Sequence, residues 1–263
     1  MTNNLSAAAI TNHLQALCTS EGVECIFGVE SGSRSWGFAS PDSDYDVRFI
    51  YLRPQADYLR ITRPRDVIEF CEPVNNLDMV GWDAPKALQL LGKSNPSIIE
   101  WLHTPLVYSK HDQALVILQE AAKACFSAKA LAMHYTLLGE GHVAKYILRK
   151  EMIAPKKYFY ALRSILSAQF VIHNNQPAPI VFEELLSVSH IPSDIRTIID
   201  DLLAAKKVAG EKEQIVPLAQ LNTYIIDKLE ELLPAARKLP QTSTITSEPV
   251  IEEAFQKLLQ LAD

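Results

Sequence analysis

Two aspartates separated by one residue stand at the start of an apolar run in the first third of the chain. Asp44 and Asp46 are followed by Val47, Phe49 and Ile50, a pattern that predicts a β-strand. Side chains two positions apart on a strand point to the same face, so both carboxylates face one way. Two such acids repel each other unless a cation lies between them, and Mg²⁺ prefers carboxylate and phosphate oxygens. The pair therefore indicates a magnesium site.

A Gly-Ser turn precedes the aspartate pair by ten residues. Gly32 and Ser33 follow another apolar run, which predicts a strand over 24–31. Glycine lets backbone N–H groups approach a phosphate closely, Ser33 can donate a hydrogen bond, and Arg34 can neutralise charge. Arg48 shares the face of the aspartate pair by alternation and can either hold the carboxylates or contact phosphate. Phosphates held beside a metal in this way are what nucleotidyl transfer requires.

The Gly-Ser turn, the ten-residue gap and the Asp-x-Asp strand resemble the motif of the DNA polymerase β-like nucleotidyltransferase superfamily. Within this superfamily, the chain most resembles the subfamily of predicted nucleotidyltransferases found beside RNA ligase in bacterial and phage RNA-repair gene clusters. It is strong over residues 24–110, continues more weakly to 170, and depends on residues 32–37, 43–48, 81–83, 95–96 and 100–102. It implies transfer of a nucleoside monophosphate from a nucleoside triphosphate, with ATP expected, to an acceptor hydroxyl with the help of Mg²⁺ or Mn²⁺.

The same resemblance implies a third metal-binding carboxylate on a neighbouring strand. Asp78 lies inside the apolar run 77–80, where an acid without a partner would be costly to bury. We expect Asp78 to be the third ligand and to help deprotonate the acceptor hydroxyl, with Glu69 as the alternative. Asp83 is a further candidate, but its position favours a helix cap.

The second half of the chain holds the densest basic and aromatic stretch, residues 145–163, with six basic residues against one acid. In relatives a lysine of the helical domain contacts the triphosphate, and the resemblance suggests Lys145 for that role. The aromatic residues of the stretch could stack on the bases of a single-stranded RNA end. The alternative is a pair of amphipathic helices with basic outer faces and aromatic inner faces.

Composition limits the class of protein. A net charge of −6 over 263 residues argues against wrapping of duplex nucleic acid, although a local basic patch could still hold an RNA end or a tRNA. Four cysteines without a Cys-x-x-Cys pair and seven histidines without ligand spacing argue against a disulfide framework or a zinc site. Without a bilayer-spanning apolar run or a signal-peptide pattern, we expect a cytoplasmic protein with no membrane partner.

Periodicity along the chain predicts an α+β fold, with a polymerase β-like core of mixed sheet and helices over 1–115 and a helical domain over 116–263 that closes the nucleotide cleft. Strands are expected at 24–31, 44–52, 66–71, 76–82 and 106–109. Helices are expected at 5–18, 84–92, 96–102, 112–125, 128–138, 142–150, 155–173, 193–208, 214–234 and 250–261.

Three functions remain open from the residues. An RNA end is the favoured acceptor, which would place the chain in RNA repair. Adenylylation of a protein or a small molecule uses the same core, and a degenerate core that binds nucleotide without turnover is the non-enzymatic alternative. The intact aspartate pair and Gly-Ser turn argue against the degenerate core.

Overall fold

The computed structural model describes residues 5–40, 42–208, 214–241 and 247–261, so Pro41 of the turn before the aspartate pair lies outside the described residues. The chain forms two compact units. Unit 1 comprises Met1–Ser35, Asp44–Phe126 and Ser243–Asp263, and unit 2 comprises Trp36–Ser43 and Ser127–Thr242. The division into domains at residue 115 stays a prediction, whereas the two units assign 116–126 and 243–263 to the sheet-containing part.

Unit 1 contains a mixed five-stranded sheet, which confirms the α+β class. Its strands are β1 (Glu24–Glu30), β2 (Tyr45–Leu52), β3 (Val67–Glu72), β4 (Leu77–Asp83) and β5 (Val107–Lys110). They lie in the order β3-β4-β2-β1-β5, in which β2 and β4 are parallel and the other neighbours are antiparallel. A single 3₁₀ turn, Pro73–Asn75, joins β3 to β4, and the two strands form an antiparallel hairpin.

Twelve helices are described. Those of unit 1 are α1 (Ala7–Glu21), α2 (Gly32–Ser35), α3 (Gln55–Tyr58), α4 (Ala84–Gly92), α5 (Pro96–His103), α6 (Asp112–Ala124) and α12 (Glu248–Leu259). Those of unit 2 are α7 (Ala128–Tyr146), α8 (Pro155–Asn174), α9 (Phe182–Val188), α10 (Ser193–Val208) and α11 (Ala219–Lys238). None of the described helices is long and apolar enough to cross a membrane.

The two faces of β2 differ, and this difference positions the polar residues. Val47, Phe49 and Tyr51 are fully buried in a core cluster that includes Ile10 and Leu14 of α1. Strand alternation therefore turns the even-numbered side chains to the opposite face. On that face the apolar residues lie at the carboxyl end of the strand, where α4 packs, and the charged residues lie at its amino end.

In unit 2, α7 is one continuous helix, so the two helices predicted at 128–138 and 142–150 are wrong. Gly139 and Gly141 lower the helix propensity of this segment, which is why the sequence suggests a break. In the fold, a Cβ at Gly139 would lie 3.2 Å from Leu229 and 3.3 Å from Ile165. The missing side chain lets α7 pack closely on α8 and α11, and this packing outweighs the local preference.

An aromatic cluster lies inside unit 2. Phe38 packs against Trp36 and Phe159 at ring distances of 5.6 and 5.4 Å, and the Arg163 guanidinium lies 4.2 Å from the Trp36 ring centre. Helix α9, which the sequence analysis does not predict, adds Phe182 to the cluster at 5.5 Å from Phe38. Trp36 therefore has a packing role in unit 2.

Candidate active site

Asp46 and Asp78 lie side by side on the two parallel strands. They are register partners of the β2–β4 ladder, near the amino end of each strand. Nη2 of Arg48 donates to Asp46 Oδ1 at 3.0 Å and to Asp78 Oδ2 at 2.8 Å, while Nη1 donates to the backbone oxygen of Asp78 at 3.2 Å. The side chains of Asp46 and Asp78 stay 31% and 42% exposed, so solvent reaches the pair. Arg48 thus holds the two carboxylates together.

The Gly-Ser turn packs directly on Asp46. Ser31 donates its backbone N–H to the backbone oxygen of Asp46 at 2.8 Å. Gly32 follows with φ of +63°, and a Cβ there would overlap the Asp46 carboxylate oxygen Oδ2. Both the left-handed backbone and the contact exclude a side chain at this position. Ser33 is buried in the short helix α2 that Gly32 begins.

Arg34 connects the two halves of the motif. Its Nε donates to the backbone oxygen of Asp44 at 3.0 Å, and its guanidinium lies 3.7 Å from the centre of the Tyr45 ring. Asp44 itself is exposed just before β2 begins. Arg34 is therefore fixed beside the aspartate pair, where its charge can reach an anion bound there.

Glu30, which is absent from the residues predicted from the sequence, is fully buried beneath the site. Its Oε1 accepts the backbone N–H of Asp46 at 2.8 Å, and its Oε2 accepts the hydroxyl of Tyr108 at 2.6 Å. Burial raises the pKa of Glu30 to about 7, against the lowering effect of these two hydrogen bonds. The available signal was an acid at the end of an otherwise apolar strand, directly before the Gly-Ser turn.

The electrostatics of the site favour a cation. Burial raises the pKa of Asp46, the Arg48 charge lowers it, and the nearby charges of Asp78 and Asp44 raise it further. Across the described residues, no three His, Cys, Asp or Glu side chains form a ready metal-binding group, and Arg48 lies between two of the three aspartates. Arg48 compensates the charge of only two of the three aspartates, and carboxylate oxygens are the donors that Mg²⁺ prefers. Asp44, Asp46 and Asp78 would hold the metal.

The other acid candidates lie away from this group. Glu69 is exposed on the edge strand β3, where it pairs with Arg65 at 2.6 Å. Asp83 ends β4 at the opposite end from Asp78, and its side chain accepts the Tyr58 hydroxyl instead of capping α4. Of the acids on β3 and β4, the structure therefore places Asp78 beside Asp46.

Within unit 2, the basic and aromatic stretch separates into buried and exposed parts. Tyr158 and Phe159 are fully buried, as the interpretation of an aromatic inner face expects, whereas Arg163 is only 5% exposed, against the expectation of a basic outer face. Four residues of the remainder, Lys145, Tyr146, Lys157 and Tyr160, together with His142 of α7, form a group that we term the α7–α8 cluster. The Lys157 ammonium lies 4.0 Å from the Tyr146 ring centre and 5.5 Å from that of Tyr160, and the Lys145 ammonium lies 5.0 Å from Tyr146. Lys145 is exposed.

Comparison with known proteins places this site in context. The model of the RNA repair pathway DNA polymerase beta family, RlaP, matches residues 7–255. The uncharacterized protein YcgL of Bacillus subtilis (strain 168) is 34% identical over 241 residues, which cover 91% of this chain and 92% of YcgL. A solved nucleotidyltransferase-like protein from Exiguobacterium sibiricum 255-15 aligns with 94% of this chain and 80% of its own, at 10% identity and a TM-score of 0.29, a likeness too low to carry an argument.

Proposed function

The chain belongs to the RNA repair pathway DNA polymerase beta family, and from this premise we propose that it is a Mg²⁺-dependent nucleotidyltransferase that modifies an RNA end. The reaction moves a nucleoside monophosphate from a triphosphate, ATP in the first place, to an acceptor hydroxyl. The observation that carries the proposal is the in-register pair Asp46 and Asp78, which share Arg48, with Gly32 packed against Asp46.

Each residue of the site has a part in this proposal. Asp44, Asp46 and Asp78 hold Mg²⁺, which when bound neutralises charge on the triphosphate and on the attacking and leaving oxygens. Arg48 holds one oxygen of each strand carboxylate, which keeps Asp46 and Asp78 side by side before the substrate binds. Gly32 lets the backbone of the turn approach the β- and γ-phosphates, with Ser33 and Arg34 as further donors.

The transfer itself is a displacement at the α-phosphorus. The acceptor oxygen forms the new bond to phosphorus, and the bond from phosphorus to the β-phosphate oxygen breaks, which releases pyrophosphate. The acceptor proton passes to Asp78, the carboxylate on β4. Positioning and neutralisation of charge supply most of the rate.

The α7–α8 cluster supports RNA as the acceptor. Its lysines lie on tyrosine rings, an arrangement that lets a base stack on an aromatic face while a cation contacts the phosphate. A contact of Lys145 with the triphosphate stays a prediction from the sequence. The chain as a whole has a net charge of −6, so RNA binding by this protein requires a local basic surface.

The test supplies each α-labelled triphosphate with Mg²⁺, and total RNA or a cell lysate as the source of acceptors. Label in RNA is the expected result, and periodate treatment of the RNA shows whether a terminal hydroxyl is the acceptor. Label in protein or in a small molecule would instead establish adenylylation. Absence of label under every condition, from a protein that binds ATP, would leave only nucleotide binding and would contradict the proposal.

A further inference from the structure

A second polar pocket lies in unit 1 at the carboxyl ends of β2 and β4. Its volume is about 300 Å³, at the lower end of the range for small-molecule sites. Its lining includes four basic side chains, Arg53, Arg63, Arg65 and Lys86, and three acidic ones. This end of two parallel strands is where α/β proteins commonly bind ligands.

The pocket is remote from the candidate active site. Asp78 is the second residue of β4, whereas Asp83 in the pocket wall is its last residue. Five residues of extended strand span about 16 Å. The pocket therefore belongs to neither the aspartate pair nor the Gly-Ser turn.

The acidic side chains of the pocket all have cationic partners. Asp66 pairs with Lys86 at 2.9 Å, Asp57 with Arg60 at 3.1 Å, and Asp83 with Arg53 at 3.7 Å. Tyr58 also donates its hydroxyl to Asp83 at 2.6 Å. Because these acids are already neutralised, they do not repel an incoming anion as free carboxylates would.

The cations of the pocket retain capacity for a further partner. Arg53 has a side chain that is only 10% exposed, and its Nε has no hydrogen-bond partner among the described residues. Its Nη2 donates to the backbone oxygen of Arg65 at 2.9 Å, which fixes the guanidinium in the wall. Arg63 makes no ion pair or hydrogen bond within the described part of the chain. Arg53, which is fixed in the wall and paired only loosely with Asp83, and the exposed Arg63 both line the pocket, and two guanidinium groups on one cavity suit a doubly charged oxyanion.

Helix α4 adds to the positive potential. It begins at Ala84, and Pro85 and Lys86 of its first turn line the pocket. The Asp83 side chain does not cap the helix, and of the first-turn N–H groups only that of Ala84 lies close enough to lower the pKa of its carboxyl. The helix dipole places further partial positive charge at this end.

We propose that this pocket binds a phosphomonoester carried on a ribose, either as a free nucleoside monophosphate or as the phosphorylated end of an RNA strand. The cavity is larger than a phosphate ion, so the sugar would fill the remaining space beside Tyr58 and Gln89. The inference is independent of the transfer reaction, because it uses none of the residues assigned to it.

Binding is measured by calorimetry without divalent metal, with AMP, a short 5′-phosphorylated RNA, its 5′-hydroxyl counterpart and inorganic phosphate as probes. We expect AMP or the phosphorylated RNA to bind and the 5′-hydroxyl RNA to bind at least tenfold more weakly. Preference for AMP would identify a nucleotide site, and preference for the RNA would identify a strand-end site. The same affinities in Asp46→Asn would show that the candidate active site is not involved.

Charge variants locate the site. Arg63→Gln and Lys86→Gln should each weaken binding about 10- to 150-fold, the loss of one charge-assisted hydrogen bond. Asp66→Asn should tighten it, because Lys86 then loses its competing partner. Lys93→Gln, at the other end of α4 and exposed, is the matched control and should change nothing. The proposal is overturned if no phosphorylated probe binds, or if Arg63→Gln and Lys86→Gln bind like the wild type while thermal melts show all variants folded.

Discussion

At the scale of single residues, the candidate site consists of acids whose charge is only partly compensated. Arg48 supplies one cation for Asp46 and Asp78, and Asp44 adds a third negative charge nearby. Because these carboxylates are partly buried, their ionised form is less stable than it would be in water. A second cation would therefore be favoured at this place, and this is the physical basis for the expected metal dependence.

This residual repulsion predicts the stability of Asp46→Asn. The folded-state pKa of Asp46 is raised, so its contribution to stability is present below the unfolded pKa, near 4, and is lost as pH rises through the folded value. Without metal at neutral pH, the Asn variant should match or exceed the wild type in its free energy of unfolding. Urea denaturation in EDTA between acidic and neutral pH measures this. A variant clearly less stable than the wild type at neutral pH would contradict it.

Glu30 should matter through the residue it holds. In Glu30→Gln, an amide N–H₂ replaces one carboxylate oxygen, so the side chain no longer accepts both the Asp46 N–H and the Tyr108 hydroxyl as before. We expect kcat for transfer to fall about 10- to 100-fold with little change in the KM for triphosphate.

Two further variants check this positioning role. Tyr108→Phe keeps the bond from Glu30 to Asp46 and should cost less activity. Glu30→Asp, with a shorter acid, should recover part of the loss. Unchanged kcat in Glu30→Gln, with the protein folded, would remove Glu30 from the account.

At the scale of elements, strand alternation and register bring the site together. The alternation along β2 is visible in the sequence, and it predicts that Asp46 and Arg48 share a face. The parallel pairing of β2 with β4 is a long-range contact that no local pattern contains, so Asp78 and Glu69 stay alternatives until the register places Asp78 beside Asp46. Glu30 shows the same limit, because its role depends on the pairing of β1 with β2.

The helices show which parts of the fold local sequence signals can and cannot predict. Most predicted segments of unit 1 match observed ones, such as α4 at 84–92, because caps and apolar periodicity are local signals. Helix α7 was wrongly divided because Gly139 serves close packing between helices, which sequence propensity does not report. Helix α9 was missed although Phe182, Leu185 and Leu186 have helical spacing, because seven residues give a weak periodic signal.

Two glycines with the same backbone angle, one after α1 and one in the turn before the aspartates, allow a matched pair of variants. Gly22 and Gly32 both have φ of +63°, but a Cβ at Gly22 meets nothing within 4 Å, whereas one at Gly32 overlaps the Asp46 carboxylate. Gly22→Ala should cost about 1 kcal/mol of stability from backbone strain and leave transfer unchanged. Gly32→Ala should cost more stability and should also reduce transfer, because Asp46 must move. Equal transfer rates in the two variants would separate Gly32 from the chemistry.

At the scale of the whole molecule, charge distribution decides where RNA can bind. Because the chain is acidic overall, its affinity for RNA should depend on a few lysines and arginines. Lys145→Gln with Lys157→Gln removes both cations that lie on Tyr146. The double variant should bind single-stranded RNA more weakly and reduce the salt dependence by about one unit per lysine, while ATP binding survives.

A lysine elsewhere in unit 2 serves as the control for this prediction. Lys228 is ion-paired with Glu231 at 2.7 Å on α11, so Lys228→Gln should leave RNA affinity unchanged. Fluorescence anisotropy with a labelled oligonucleotide across a salt series measures both variants. If the wild-type protein has no affinity for RNA at low salt, adenylylation of a protein or a small molecule replaces RNA repair as the leading function.

If Asp44 and Asp46 hold the metal for nucleotidyl transfer, their joint replacement abolishes turnover, and a rate measurement decides this. The wild type is compared with the double variant Asp44→Asn with Asp46→Asn, after thermal melts confirm that both are folded. The rate of pyrophosphate release from ATP is measured with Mg²⁺ and with the acceptor that received the label in the transfer test. The account predicts release by the wild type only with Mg²⁺ and a loss of at least 1,000-fold, about 4 kcal/mol, in the variant. Release by the variant at near the wild-type rate would contradict it.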